Sequence, residues 1–131
     1  MRDLNPDQQT RDTIIFGRPL TPDEYNLGIC RFTDLTSDKL ETLLAQNFAD
    51  PDETQNDSPD ISEFLEFLKS FPQCKAHGYV VSNTREDYRV SIEGVECTYD
   101  INQELIFAFI ELFRLADDFR ITPDYVYCWY D

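Results

Sequence analysis

Apolar side chains recur every three or four residues in two segments of the first half of the chain, which is the spacing of one helix face. Thr36 is a suitable N-cap for a helix over 37–48, and Ser58-Pro59-Asp60 has the N-cap and early proline that begin a second helix over 59–71. The two apolar faces consist of Leu40, Leu43, Leu44 and Phe48, and of Ile61, Phe64, Leu65, Leu68 and Phe71.

The pattern then changes from helical spacing to alternation. Two apolar runs separated by a polar stretch predict a β-hairpin over about 78–99. In the second run, apolar and polar residues alternate up to Ile92, and after Gly94 the apolar positions are displaced by one residue. Because this displacement would turn the core face outward, we expect a β-bulge at Glu93-Gly94.

The longest apolar pattern predicts a helix over about 101–118, which begins after Asp100. Its apolar surface is wider than an ordinary amphipathic stripe, so we expect it to be covered on more than one side. Phe107 falls inside the polar stripe, which predicts a phenylalanine that is exposed or covered by another element or chain. The aromatic segment 125–130 predicts a final strand that contains Trp129.

These elements predict one α+β domain over 13–131. Its antiparallel sheet consists of the hairpin at about 78–99 and the strand 125–130, with the three helices packed on it. The polar residues 1–12 are expected to form a disordered N-terminal segment. The short apolar run at 13–16 predicts a strand or an anchoring segment.

The composition adds a strong acidic imbalance, with 26 acidic residues against 11 basic ones and a formal net charge of −15. Aromatic residues make up 14% of the chain, so the acidity belongs to a folded domain rather than to a disordered tail. Such a surface repels nucleic-acid phosphates and anionic membranes, and we expect neither as a direct partner. The chain has no apolar run of membrane-spanning length and no apolar N-terminal core, so a cytoplasmic location is the default expectation.

The acidic residues are concentrated in one part of the chain. Residues 32–68 contain ten acidic residues and one basic residue, Lys39, and form a candidate docking face for a basic protein partner. Aromatic side chains are frequent in binding hot spots, so two aromatic residues of the second half of the chain are candidate anchors. The predicted partner-binding residues are Asp50, Asp52, Glu53, Asp57, Asp60, Glu63, Phe107 and Trp129.

The patterns typical of metal sites are incomplete, and no metal or cofactor is predicted. The side chains from Asp52 to Glu63 resemble a calcium loop in type, but Asp57 stands where the sharp turn needs glycine. His77 is the only histidine, and with Cys74 it forms at most half of a zinc site, or a Cys–His pair. The four cysteines fit no zinc spacing and are expected to be reduced, mostly buried thiols.

Two functions from different classes remain open. The favoured hypothesis is a non-catalytic interaction module or inhibitor that docks a basic protein partner through its acidic face. Toxin-immunity proteins and DNA-mimicking inhibitors are similar in size and charge balance, and the similarity is one of composition only. The alternative is a small enzyme or ligand-binding domain with a pocket near His77 and Cys74. A homodimer also remains open, because Phe107 and the C-terminal aromatic residues could meet a second chain.

Overall fold

A computed structural model describes residues 3–131 and contains four α-helices and five β-strands in that part of the chain. In chain order these are α1 (Gln8–Phe16), β1 (Ile29–Leu35), α2 (Ser37–Ala45), α3 (Ile61–Ser70), β2 (Lys75–Val81), β3 (Arg89–Cys97), α4 (Gln103–Phe113), β4 (Asp118–Thr122) and β5 (Tyr125–Trp129). The predicted α+β class is confirmed, because the helices pack against one antiparallel sheet.

The strands lie in the spatial order β1-β2-β3-β5-β4, so β1 and β4 are the edge strands. Successive side chains of a strand point to opposite faces of the sheet. One face joins the helices in a single buried core, to which β3 contributes Val90, Ile92, Val95 and Cys97. We call the opposite face the open face. Its side chains include Arg31, His77, Glu96, Arg120, Tyr127 and Trp129.

The β-bulge predicted in the second strand of the hairpin is confirmed. His77 pairs with Gly94, whereas the next residue, Gly78, pairs with Ile92. Glu93 is therefore the extra residue, and the apolar side chains on both sides of it face the same core. Gly78 is also required by contact, since a Cβ there would lie 2.0 Å from the Ser91 carbonyl oxygen.

The first two predicted helices are present but shorter than the spans 37–48 and 59–71. Thr36 caps α2 as expected, because its side chain accepts a hydrogen bond from the Lys39 N–H at 3.2 Å. The helix ends at Ala45, and Asn47 then takes a left-handed conformation with φ of 63°, which turns Phe48 into the core. The turn after α2, and not the helix itself, therefore places Phe48 in the core.

The prediction of one helix over 101–118 is wrong at both ends. The N-cap is Asn102 and not Asp100, and α4 ends at Phe113. Residues 118–122 form the edge strand β4, from which Phe119 and Ile121 pack against the core. Apolar residues separated by two positions fit a strand, but a short apolar run of this kind does not distinguish a strand from the end of a helix.

The expectation that residues 1–12 are disordered is wrong for the described part, and Met1 and Arg2 lie outside the described residues. The helix α1 is capped by Asp7 and includes residues 8–12 of this segment together with 13–16, where a strand or an anchoring segment was expected. Its buried face includes an ion pair, Arg11 with Asp12, whose atoms Nε and Oδ1 are 3.0 Å apart. A charged buried face has no apolar signal in the sequence, which explains the error.

Candidate functional site

The acidic loop between α2 and α3 is attached to the sheet by its side chains. Gln55 accepts hydrogen bonds through Oε1 from the Tyr79 hydroxyl at 3.3 Å and from the Ser91 hydroxyl at 3.2 Å. Glu53 approaches Arg89, with 3.7 Å between Oε1 and Nε. The loop therefore directs some of its polar groups toward the β2–β3 hairpin, and only part of its charge faces solvent.

Glu53 has an environment unlike that of its acidic neighbours. One of its carboxyl oxygens is buried and has no hydrogen-bond partner among the described residues. Burial raises the pKa of Glu53 to about 7, and the positive charge of Arg89 offsets only part of this increase. Asp52 and Asp57 are exposed, while Asp50 is half-buried. These residues therefore do not form one uniform acidic surface.

Asp60 and Glu63 begin α3 with a reciprocal capping box. The Asp60 carboxylate accepts from the Glu63 N–H at 2.9 Å, and the Glu63 carboxylate accepts from the Asp60 N–H at 3.1 Å. Asp60 is occupied by this local role, whereas Glu63 is exposed and keeps part of its carboxylate free for solvent. Within residues 3–131, no three His, Cys, Asp or Glu side chains are grouped as they would be around a metal ion.

A groove of about 550 Å³ lies between α3 and α4. Its apolar lining consists of Phe67, Phe71, Ala108 and Leu112, all buried or half-buried. Its acidic rim consists of Glu63 and Glu66 from α3 and Glu111 from α4, all exposed. Residues three or four apart lie on one face of a helix, so each helix contributes both lining and rim from one face.

An aromatic cluster below the groove fixes the two helices against each other. The Phe113 ring lies 4.9 Å from the Phe67 ring in an edge-to-face contact and 5.6 Å from the Phe64 ring in a stacked one. Ring contacts of this kind add directional preference to the burial of apolar area. The shape of the groove is therefore set by the packed core.

A second, smaller hollow of about 220 Å³ lies on the open face around His77. The His77 ring crosses over Gly94, donates from Nε2 to the carbonyl oxygen of Cys128 at 3.0 Å, and stacks on Tyr127 with 5.2 Å between ring centroids. Burial lowers the pKa of His77, so the ring is neutral and Nε2 carries its proton. This histidine links three strands of the sheet and has a structural role.

Cys74 does not lie with His77. Its thiol belongs to the buried core on the helix side of the sheet, beside Cys97, and burial raises its pKa. The structure therefore does not bring the two residues together as a zinc ligand pair or as a nucleophile and its base. All four cysteines are free thiols, and Cys74, Cys97 and Cys128 are buried.

Trp129 lines the hollow, where it shares a buried carboxylate with an arginine. Glu93 is only 4% exposed, accepts a hydrogen bond from the Trp129 Nε1 at 3.3 Å, and forms an ion pair with Arg31. The bulge carries Glu93 into this position between β1 and β5. The buried carboxylate of the hollow is thus engaged by Arg31 and by Trp129.

Phe107 lies on the outer side of α4 and lines a groove between α4 and β4 that contains no residue of the acidic loop. It is 61% exposed, which is the first of the two alternatives predicted from its place in the polar stripe. The predicted partner-binding residues are therefore distributed over three places: the acidic loop with the start of α3, the hollow on the open face, and the α4–β4 groove. Sequence reasoning missed Glu66 and Glu111 as rim residues, although both lie on predicted helix faces that are polar.

Comparison of the chain with protein-family models, with curated proteins and with solved structures finds no significant match. Within the described residues, no helix has the length and apolar character needed to cross a membrane. Residues 3–131 thus form a single α+β domain with an acid-rimmed apolar groove between α3 and α4.

Proposed function

We propose that the protein is a non-catalytic docking module that binds a basic protein partner in the groove between α3 and α4. The observation that carries this proposal is the combination of an apolar lining with three exposed glutamates on both sides of it. The preferred occupant is an amphipathic helix with an apolar face and lysine or arginine residues beside it. Helices bind in such grooves through their apolar face, and flanking charges add selectivity.

The charge of the whole molecule supports the same partner. A net charge of −15 attracts a basic protein over a distance of about 10 Å at moderate ionic strength, and this attraction raises the association rate. Lys69 lies on α3 but pairs with Glu41 of α2 at 3.1 Å, and it does not line the groove. If the basic surface of the partner normally binds nucleic acid, docking here would make the protein an inhibitor of that partner.

The alternative, an enzyme or ligand-binding domain at His77, has less support. The hollow is smaller than typical ligand sites, which have volumes of about 300–1,000 Å³. Its histidine is engaged by Cys128 and Tyr127, and its carboxylate Glu93 is engaged by Arg31 and Trp129. The proposal of a docking module therefore rests on the groove and not on the hollow.

The experiment compares partner capture from native lysate by three forms of the immobilised protein. Replacing Glu66 and Glu111 together by glutamine removes two rim charges and keeps the side-chain shape. The control replaces the exposed Glu86 and Glu104, which do not line the groove, in the same way and removes the same charge. We expect the wild type and the control to capture the same basic protein and to release it at high salt. The groove variant should bind that protein roughly tenfold more weakly.

Purified partner and defined peptides extend the test. Segments of the captured protein with amphipathic helical pattern are titrated against wild type, groove variant and control by calorimetry. Equal binding to the groove variant and the control would contradict the groove, and capture of only neutral or acidic proteins, unaffected by salt, would contradict the docking of a basic partner.

A further inference from the structure

The edge strand β4 leaves one side of its backbone without a neighbouring strand. Among residues 3–131 it pairs only with β5, and the sheet ends at it. Natural edge strands are commonly protected by proline, by charged side chains, by a bulge or by a covering loop. Residues 118–122 contain no proline, and their pairing with β5 is continuous. Their two charged side chains, Asp118 and Arg120, pair with each other and leave no net charge on the strand. This edge is therefore able to accept another strand.

An uncharged apolar surface adjoins this edge. It consists of the α4–β4 groove, of about 550 Å³, whose lining residues are Ile101, Asn102, Gln103, Ile106, Phe107, Ile121, Thr122 and Pro123. None of these eight residues is ionisable, in a molecule with a net charge of −15. Leu115, in the turn that leads into β4, is 67% exposed and adds an apolar side chain near this edge.

We propose that a second copy of the chain docks on this edge, with the two β4 strands pairing antiparallel about a two-fold axis. A homodimer of this kind uses the same patch on both copies, so the patch must be complementary to itself. A strongly acidic protein meets another copy with least repulsion where few unpaired carboxylates face each other. The lining of the α4–β4 groove carries no carboxylate, and Asp118 of β4 is paired with Arg120. This inference is independent of the groove between α3 and α4.

The sequence of β4 is self-complementary in one register. With the axis at Phe119, Asp118 of each copy lies opposite Arg120 of the other, and opposite charges on directly facing residues stabilise a strand pair. Within one chain these two side chains already form a bidentate pair, with both N–O distances 2.9 Å. An axis at Arg120 would instead place two arginines opposite each other, which disfavours that register.

The same register accounts for the exposed Leu115. Antiparallel pairing about Phe119 brings the turn before β4 of one copy to the level of Thr122 and Pro123 at the end of β4 of the other. Leu115 of each copy then meets the apolar surface that contains Phe107 of its partner. Two symmetric apolar contacts therefore flank the strand pair, and the exposed side chains of Leu115 and Phe107 become buried in both copies.

The experiment measures the oligomeric state of the full chain by sedimentation equilibrium over a range of protein and salt concentrations. We expect a dimer whose dissociation constant decreases as salt increases, because salt screens the repulsion between two copies of charge −15. Leu115→Asp introduces a carboxylate into the contact and should weaken the dimer at least tenfold. Leu27→Asp is the matched control, since Leu27 is 86% exposed and far from β4 in the sequence, and it should leave the dimer unchanged.

A charge exchange tests the register itself. Asp118→Arg alone places like charges opposite each other across the axis and should weaken the dimer, and adding Arg120→Asp restores both pairs and should restore it. A chain that stays monomeric at high protein and high salt concentration, or a dimer indifferent to Leu115→Asp, would overturn the proposal. The groove variant, Glu66→Gln with Glu111→Gln, should leave the dimer intact. Loss of partner binding and loss of the dimer are therefore measured with different variants, and failure of this inference is distinguishable from failure of the docking proposal.

Discussion

At the scale of single residues, Glu53 is an acidic side chain whose negative charge is reduced by its environment in the fold. Its carboxyl group is partly buried, one oxygen has no hydrogen-bond partner among the described residues, and Arg89 is the nearby cation. Desolvation favours the protonated form, which raises its pKa to about 7. Near neutral pH this residue therefore contributes less negative charge than its identity implies.

The raised pKa predicts a pH dependence of stability. Between the ordinary pKa of 4.5 and about 7, the folded protein binds the Glu53 proton more tightly than the unfolded chain does. The contribution of Glu53 to the free energy of unfolding therefore decreases as pH rises through this window. We expect Glu53→Gln to match the wild type near pH 5 and to be more stable by about 2 kcal/mol near pH 8.

Urea unfolding of both proteins at several pH values measures this difference. Asp52→Asn is the control, since it removes one charge from an exposed neighbour and should show no such change with pH. A difference between wild type and Glu53→Gln that stays constant from pH 5 to pH 8 would contradict the assignment of a raised pKa.

At the scale of elements, the bulge in β3 organises the open face of the sheet. It lets Gly94 lie beneath the His77 ring, whose Nε2 then reaches the Cys128 carbonyl oxygen on β5. A Cβ at position 94 would lie 1.9 Å from the Cys128 carbonyl oxygen and 2.8 Å from the His77 Cε1. Such contacts cannot be relieved by a rotamer change, because one of them involves backbone.

Gly94→Ala should therefore destabilise the protein by about 3 kcal/mol, the upper range of overpacking effects. The control is Gly17→Ala, where an added Cβ meets nothing within 4 Å and the positive φ of 80° is the only obstacle. We expect the control to lose about 1 kcal/mol, the usual penalty for the left-handed conformation. Thermal unfolding of the two variants under the same conditions measures both values, and equal losses would argue against the close contact at Gly94.

At the scale of the whole molecule, the N-terminal segment is part of the fold and connects distant parts of it. The buried Arg11 guanidinium donates to the Val81 carbonyl oxygen at the end of β2 at 2.8 Å and to the Tyr25 hydroxyl at 3.2 Å. Earlier in the segment, the Asn5 N–H donates to the Asn47 carbonyl oxygen after α2, at 2.8 Å. Helix, turn and sheet are thus joined through polar groups, of which Arg11 is fully buried.

Arg11→Ala should cost about 3–5 kcal/mol, because it leaves the buried Asp12 carboxylate without its cation. Replacing Arg11 by Met together with Asp12 by Asn removes both charges and should recover part of the loss. Arg18→Ala breaks an exposed pair with Glu24 and should leave stability nearly unchanged. Chemical unfolding of the three variants is the measurement, and an Arg11→Ala protein as stable as Arg18→Ala would contradict the structural role of the segment.

The features that the sequence determined by itself are those whose signals lie close together along the chain. Thr36 as a helix cap, the hairpin, the bulge at Glu93-Gly94 and the exposure of Phe107 all follow from spacing over a few residues. Helical and strand periodicities are local properties of the backbone, so they can be recognised without knowing what packs against them.

Only the tertiary structure decided which residues meet across the chain. In the fold, Arg11 lies in the core, residues 118–122 form a strand, and Cys74 lies on the other side of the sheet from His77. The side chain of Glu53 is partly buried. Glu66 and Glu111, on different helices, line the same groove. These outcomes depend on contacts between residues tens of positions apart, whose partners no local pattern specifies. The acidity follows from the composition, whereas the groove that combines an apolar lining with acidic residues exists only because α3 and α4 lie next to each other.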